Sequence, residues 1–371
     1  STNRGVFITT SGTNLTLTDN SINSSELSIY ANGIEGGEVT GNNVEGSSSN
    51  WAIEMDSCND CVFEANEVNY PSGSGIRSNS SENSTISGNS LDVNNYGIQA
   101  DSGSELDISD NDITGFDEYG IQFNSTVHST IYDNTLVSTP NIDNSNCGIY
   151  NSNTTSYQNT VYNNNIHILD GGNNVEGIRV SNVNLYDNTI IIENSSYPNG
   201  GMYSFGIVGE NNTVFNNNIN LFANSSSYAI YNTTSYNLKA IYSNQIELNG
   251  ASGIKGNRLH IHDNDITGSG TYSIDITGNM ENTLIENNTV SGRVRISNNA
   301  VLDMHHNLVI SAYGGLEIYD MAGGHFYNNT FVGDSTATGL YIHNFDLGQA
   351  GQELKVENNI FSSFDIGVNV E

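Results

Sequence analysis

Basic residues are scarce in this chain. Its 371 residues hold nine lysines and arginines against 41 aspartates and glutamates, a formal net charge of -32. Such a field repels phosphate, which excludes recognition of nucleic acid or of an anionic membrane surface through general charge. Lysine occurs only three times, so solubility rests on carboxylates and on Asn, Ser, Thr, Gly and Tyr. That composition suits an extracellular, cell-surface or saline setting. Long apolar runs are missing too: none approaches the roughly 18 residues of a membrane span, so membrane insertion is not expected. No signal peptide opens the sequence, which reads as a mature segment excised from a longer secreted or surface protein. Twelve Asn-X-Ser/Thr sequons add little weight to secretion in a chain so rich in those residues.

Cysteine is limited to Cys58, Cys61 and Cys147. Cys58-Asn-Asp-Cys61 reads as a local disulfide, two free thiols or half a metal site, and the lack of a second CxxC argues against zinc. Proline occurs three times, and helical periodicity is almost absent.

What is present is a repeat. Apolar, any, small or Asp/Asn, Asn, polar, apolar recurs fifteen times, from LTDNSI through ISDNDI and IHDNDI to VENNIF. The fourth-position asparagines run Asn20, Asn42, Asn66, Asn89, Asn111, Asn134 and on to Asn359, with spacings of 19 to 30 residues. Between them lies a second element, seen as SGIRS, YGIQA, EGIRV and SGIKG. Each period therefore holds several short strands and turn-rich connections, and cannot bury a face alone. Stacked in parallel, successive periods place each asparagine about 4.8 Å above the last. An asparagine at such a turn tolerates αL geometry and bonds its neighbours above and below.

On these motifs the chain resembles the right-handed parallel β-helix, or pectate-lyase-like, superfamily, whose coils carry an asparagine ladder in a short turn. The resemblance implies an all-β fold, a right-handed single-stranded parallel β-helix of about 15 coils, with residues 1–371 as a single domain. In composition the chain is also similar to the disaggregatase type of archaeal surface-matrix enzyme. The scaffold carries many functions.

Period-two alternation assigns the faces. Positions three before and two after each ladder asparagine are apolar throughout and form the core. The position two before points outward and includes Tyr132, Tyr162, Tyr186, Phe215, Tyr242 and His262, an aromatic stripe suited to sugar rings or to mutual cross-strand stabilisation. The position four before adds His260, Asp303 and His325. Strand spacing puts His260 and His262 about 7 Å apart, too far to share a small ion easily, and leaves Asp303, His305 and His306 as the metal-ligand candidates. Asp and Asn in turns such as DNDITG at 263–268 suggest Ca2+ as a guest, though no cofactor is required.

In polysaccharide-degrading members of the superfamily, chemistry usually sits on the Gly-Ile strands. Their outward row holds four of the nine basic residues, Arg77, Arg179, Lys255 and Arg295. Lys255, Asp275, Arg295 and Glu317 alternate in sign on successive coils, flanked by Tyr341 and His343. Asp275 and Glu317, two coils or about 9.6 Å apart, fit the carboxylate gap of inverting glycosidases. Lys255 and Arg295 equally suit the carboxylate of a uronic acid, with Lys255 or Tyr341 as base in an elimination. A ladder of cross-strand ion pairs is the plainer reading. Together these rows predict an extracellular polysaccharide or cell-surface glycan as partner, engaged along Arg179 and the aromatic stripe, with hydrolysis or elimination as its chemistry. The alternative is a non-enzymatic surface rod, adhesin or virus spike component.

Overall fold

The computed structural model describes residues 5–8, 12–24, 26–140, 146–151, 158–169, 174–194, 203–210, 212–232, 239–277, 283–297, 301–320, 323–343 and 353–371. Each coil contributes one strand to each of three parallel sheets. Sheet I holds the Gly-Ile strands, sheet II the strands before the ladder asparagines, and sheet III those after them. No helix among the described residues is long and apolar enough to cross a membrane.

Two compact units are present, Ser1–Ser196 and Tyr197–Glu371. In the first, sheet I runs from Val6–Ile8 to Asn174–Arg179, sheet II from Thr16–Thr18 to Val183–Tyr186, and sheet III from Ser21–Ser24 to Thr189–Glu193. In the second, sheet I runs from Tyr203–Gly209 to Ile366–Val370, sheet II from Thr213–Phe215 to Leu354–Glu357, and sheet III from Asn218–Phe222 to Ile360–Ser362.

The register stacks like on like, which is why the repeat folds. Phe63, Ile86, Ile108, Ile131 and Val161 follow one another in sheet II and are fully buried. Ile53, Ile76, Ile98 and Ile121 do the same in sheet I. Branched and aromatic side chains stacked in this way fill the coil interior without polar atoms.

The asparagine ladder is continuous over the described rungs of each unit. In the first, Asn89 donates from both its backbone N and its Nδ2 to Asn111 Oδ1, at 3.1 and 2.9 Å, and Asn111 repeats the pattern onto Asn134. Its Nδ2 also donates to Ile86 O at 2.9 Å. In the second unit the same bonds join Asn244, Asn264, Asn288 and Asn307.

The strained position is not the ladder asparagine, as the repeat alone suggests, but the residue before it. From Asp19 to Asn358, the residue preceding each ladder asparagine has φ between 53° and 63°. This explains why Asp, Asn and Gly crowd that position. Ala65 and Ser243 occupy it against preference, and His306, of a type that tolerates positive φ, takes it too.

The CxxC pair belongs to a second, shorter polar column. Cys58 N donates to Ser81 Oγ at 3.3 Å and Cys61 N to Ser84 Oγ at 3.2 Å. The cysteines are free and buried and take serine-like places in stacked turns. The interaction between the two neighbouring thiols pushes the pKa of Cys58 up and that of Cys61 down.

Candidate functional site

In the second unit, the outward row of sheet I follows the expected register: Tyr231, Lys255, Asp275, Arg295, Glu317, Tyr341. Outward does not mean exposed. Asp275 has no solvent exposure, because Arg295 closes over it with two hydrogen bonds, Nε to Oδ1 at 2.8 Å and Nη2 to Oδ2 at 2.7 Å. Lys255 Nζ lies 4.0 Å from the same carboxylate and donates to Tyr228 Oη at 3.2 Å.

Arg293, two residues from Arg295 on the same strand, joins this cluster. It pairs with Glu317 and stacks on Tyr272, 4.8 Å from the ring centre, while Arg295 lies 4.1 Å from the same ring. Lys255 sits 4.7 Å from the Tyr228 ring. The sequence reading missed Arg293, Tyr272 and Tyr228. The alternation in Arg293-Val294-Arg295 signals the first, whereas Tyr272 depends on a register shift between Tyr272 and Ile274 that no pattern announces.

This geometry changes the roles read from spacing. Asp275 is sealed and one oxygen of Glu317 is tied to Arg293, so the two carboxylates do not form the open pair, with a water between them, that an inverting mechanism uses. The Tyr341 hydroxyl donates to Glu371 at 2.7 Å, and that bond holds its pKa up at about 12, which opposes service as a base at neutral pH. His343 approaches the Tyr341 hydroxyl at 3.4 Å and Glu371 at 3.8 Å.

Sheet II carries the aromatic stripe. In the first unit Tyr132, Tyr162 and Tyr186 stack with centroids 5.0 and 4.9 Å apart and nearly parallel rings. In the second, Phe215, Tyr242 and His262 do so at 4.9 and 4.8 Å. Rings this close are in van der Waals contact, so they shield one another's faces and leave edges to solvent.

The histidines are drawn closer together than strand spacing implies. The His260 and His262 rings are 4.3 Å apart. Glu286, on the strand between those of His260 and His305, ties the column together, lying 2.7 Å from His260 Nε2 and 3.4 Å from His305 Nε2. Burial holds the His305 pKa below the ordinary imidazole value. His305 Nδ1 approaches His306 Nδ1 at 2.9 Å. Among the described residues no group of three His, Cys, Asp or Glu is arranged to hold a metal ion, which includes Asp303, His305 and His306.

Three parallel sheets, one strand per coil, and an unbroken amide ladder within each unit settle the architecture. The fold is that of the parallel β-helix superfamily. Residues 1–175 of this β-helix match the family described as Periplasmic copper-binding protein (NosD). The solved structures similar to it include the A-modules of two Azotobacter vinelandii mannuronan C-5 epimerases. AlgE4 is 12% identical with a TM-score of 0.33, covering 92% of this chain and 89% of its own. AlgE6 is 12% identical with a TM-score of 0.31, covering 94% and 91%. No curated protein matches by sequence.

On the β-helix's first unit, Arg179 sits 2.8 Å from Glu176 on the same strand of sheet I. Glu176 is 5% exposed, and its burial raises the carboxyl pKa to about 7 despite the guanidinium. The folded state therefore holds this proton more tightly than the unfolded chain. Stability is fully present below the unfolded value near 4.5 and falls as pH rises to about 7, by about 3 kcal/mol. Glu176→Gln is expected to remove this loss. Urea melts at pH 5 and pH 8 should show the variant gaining on the parent only at pH 8.

Proposed function

We propose that the second unit engages an acidic polysaccharide along the outward face of sheet I. One observation carries the reading: Lys255, Arg293 and Arg295, three of nine basic residues in a chain of net charge -32, gather around two carboxylates. The cluster keeps a cationic surplus where the chain as a whole is anionic. Tyr228 and Tyr272 hold the cations in place by cation–π contact, so little side-chain entropy is lost on binding. A uronate carboxylate would take the outward N–H groups of Arg293 and the Lys255 ammonium, and tyrosine edges would meet the sugar ring. Binding, rather than bond cleavage, is what these groups support, since Asp275 and Glu317 are already committed to arginines.

The reading places the chain outside the cytoplasm. The scarcity of lysine supports that, as does the periplasmic family matched over residues 1–175. In the matched stretch Cys58 and Cys61 are buried, and their sulfurs turn toward backbone carbonyls at 3.4 Å. No third donor joins them among the described residues. Asp263 of the DNDITG turn is bonded to His262 at 2.8 Å.

Calorimetric titration with oligogalacturonate and with mannuronan oligomers tests the proposal. The parent should bind at least one of them, with affinity falling as salt rises. The double variant Lys255→Gln/Arg293→Gln should bind at least tenfold more weakly. Equal binding by the double variant, or no binding of any acidic glycan by the parent, would overturn it.

A further inference from the structure

Sheet I of the first unit carries a second aromatic surface, distinct from the stripe on sheet II. Trp51, Tyr96, Tyr119 and Tyr150 form a connected strip with centroid steps of 5.6, 5.5 and 4.4 Å. Two small residues make the strip continuous. Ser74 occupies the rung between Trp51 and Tyr96, and its short side chain leaves the gap that the indole covers. Cys147 follows Tyr119 in the same row, and lets that ring lean onto Tyr150 in the next. All four rings are half-buried. Unlike the parallel stack of sheet II, the Trp51–Tyr96 and Tyr96–Tyr119 pairs are tilted by 39° and 38°. Tilted rings turn part of each face outward, where stacked rings show only edges.

What lies beside the strip defines its ligand. The neighbouring outward row reads Glu54, Arg77, Gln99, Gln122, Tyr150. Its charges are internally balanced, with Arg77 Nη1 2.8 Å from Glu54 Oε1. The Gln99 amide donates to the buried Gln122 at 2.5 Å, which holds the half-buried Gln99 carboxamide beside the half-buried rings. Aromatic faces with a flanking amide, and with the Glu118 carboxylate beside Tyr96 and Tyr119, match a hydroxyl-rich, uncharged ring system and disfavour an anionic one. We propose that this strip is a binding surface for a neutral glycan chain lying along Trp51, Tyr96, Tyr119 and Tyr150, with Gln99 meeting its hydroxyls. The strip spans four strand spacings, about 19 Å, the length of a short oligosaccharide. It is independent of the acidic-glycan surface in chemistry and in position on the chain.

Trp51 is the sole tryptophan, so intrinsic fluorescence excited in the indole band reports this surface alone. The parent would be titrated with cello-, xylo- and manno-oligosaccharides and, separately, with oligogalacturonate. At least one neutral oligomer should shift or quench Trp51 emission saturably, and the acidic one should not. Tyr119→Ala should weaken that binding at least tenfold. Tyr119→Phe, which keeps the ring and the fold, should stay within about threefold, as expected when stacking supplies the attraction. Tyr162→Ala, which cuts the parallel stack of sheet II, should leave it unchanged. If no neutral oligosaccharide perturbs Trp51, or if Tyr162→Ala weakens binding as much as Tyr119→Ala, the strip is only a stabilising ladder and the proposal fails. Loss of oligogalacturonate binding in Lys255→Gln/Arg293→Gln, with the Trp51 response retained, would show the two surfaces to be separate.

Discussion

Asn111→Ala is expected to lower stability by about 3–5 kcal/mol, and the melting temperature by roughly 10 °C, out of proportion to the few heavy atoms it removes. The substitution removes the acceptor for two donors of Asn89, and both donations that Asn111 makes to Asn134 Oδ1 and Ile86 O. Asn89 and Asn111 are each 1% exposed, so water does not replace what is lost. An orphaned backbone N–H in that position bears its full desolvation cost. Asn69→Ala, on an exposed position of sheet III, provides the comparison and should stay within about 0.5 kcal/mol of the parent. Chemical denaturation of the two variants checks the difference. Equal stability would mean that stacked apolar columns, rather than amides, hold the turns.

Arg295→Ala should cost a further amount of similar size, about 3–5 kcal/mol, by stranding the Asp275 carboxylate. Both oxygens of Asp275 are held by that guanidinium and the residue is fully buried, with only the Lys255 ammonium 4.0 Å away to compensate. Arg295 itself keeps a side-chain exposure of 29%, so Asp275→Asn leaves a cation that can turn to water, and its cost should be smaller. Asp275→Asn in the Arg295→Ala background should recover most of the loss, since it removes the stranded charge. A double-mutant cycle by urea denaturation measures this coupling. Additive losses would show that water already reaches Asp275, and would restore it as a candidate for chemistry.

The fold was legible because the repeat writes the same instruction many times. One Asn-centred hexapeptide predicts little, but fifteen in register predict a stack, and the columns through Phe63 and Ile53 follow from alternation alone. The row through Lys255, Asp275, Arg295 and Glu317 was legible for the same reason. Its chemistry was not. Alternation tells which way a side chain leaves the strand, but not which neighbour then lies over it, so Asp275 was placed outward and turns out sealed. Spacing likewise overstated the separation of His260 from His262, because strand geometry fixes Cα positions while rings lean together. Trp51 to Tyr119 escaped notice since a serine interrupts the row, and only side-chain reach restores its continuity.

The amide ladder has a direction. Between the terminal rungs of each unit the asparagines donate toward the next higher-numbered rung and accept from the one below, as Asn42 does toward Asn66 and Asn288 toward Asn307. A partial coil cannot satisfy such a chain, because it would leave one donor and one acceptor facing no partner. Insertions and deletions are therefore admissible in whole turns, about 19 to 30 residues at a time, or in the loops outside the ladder. Length in this protein is a quantised property: a coil can be added or removed as a module, and each added coil lengthens the outward rows by one more position.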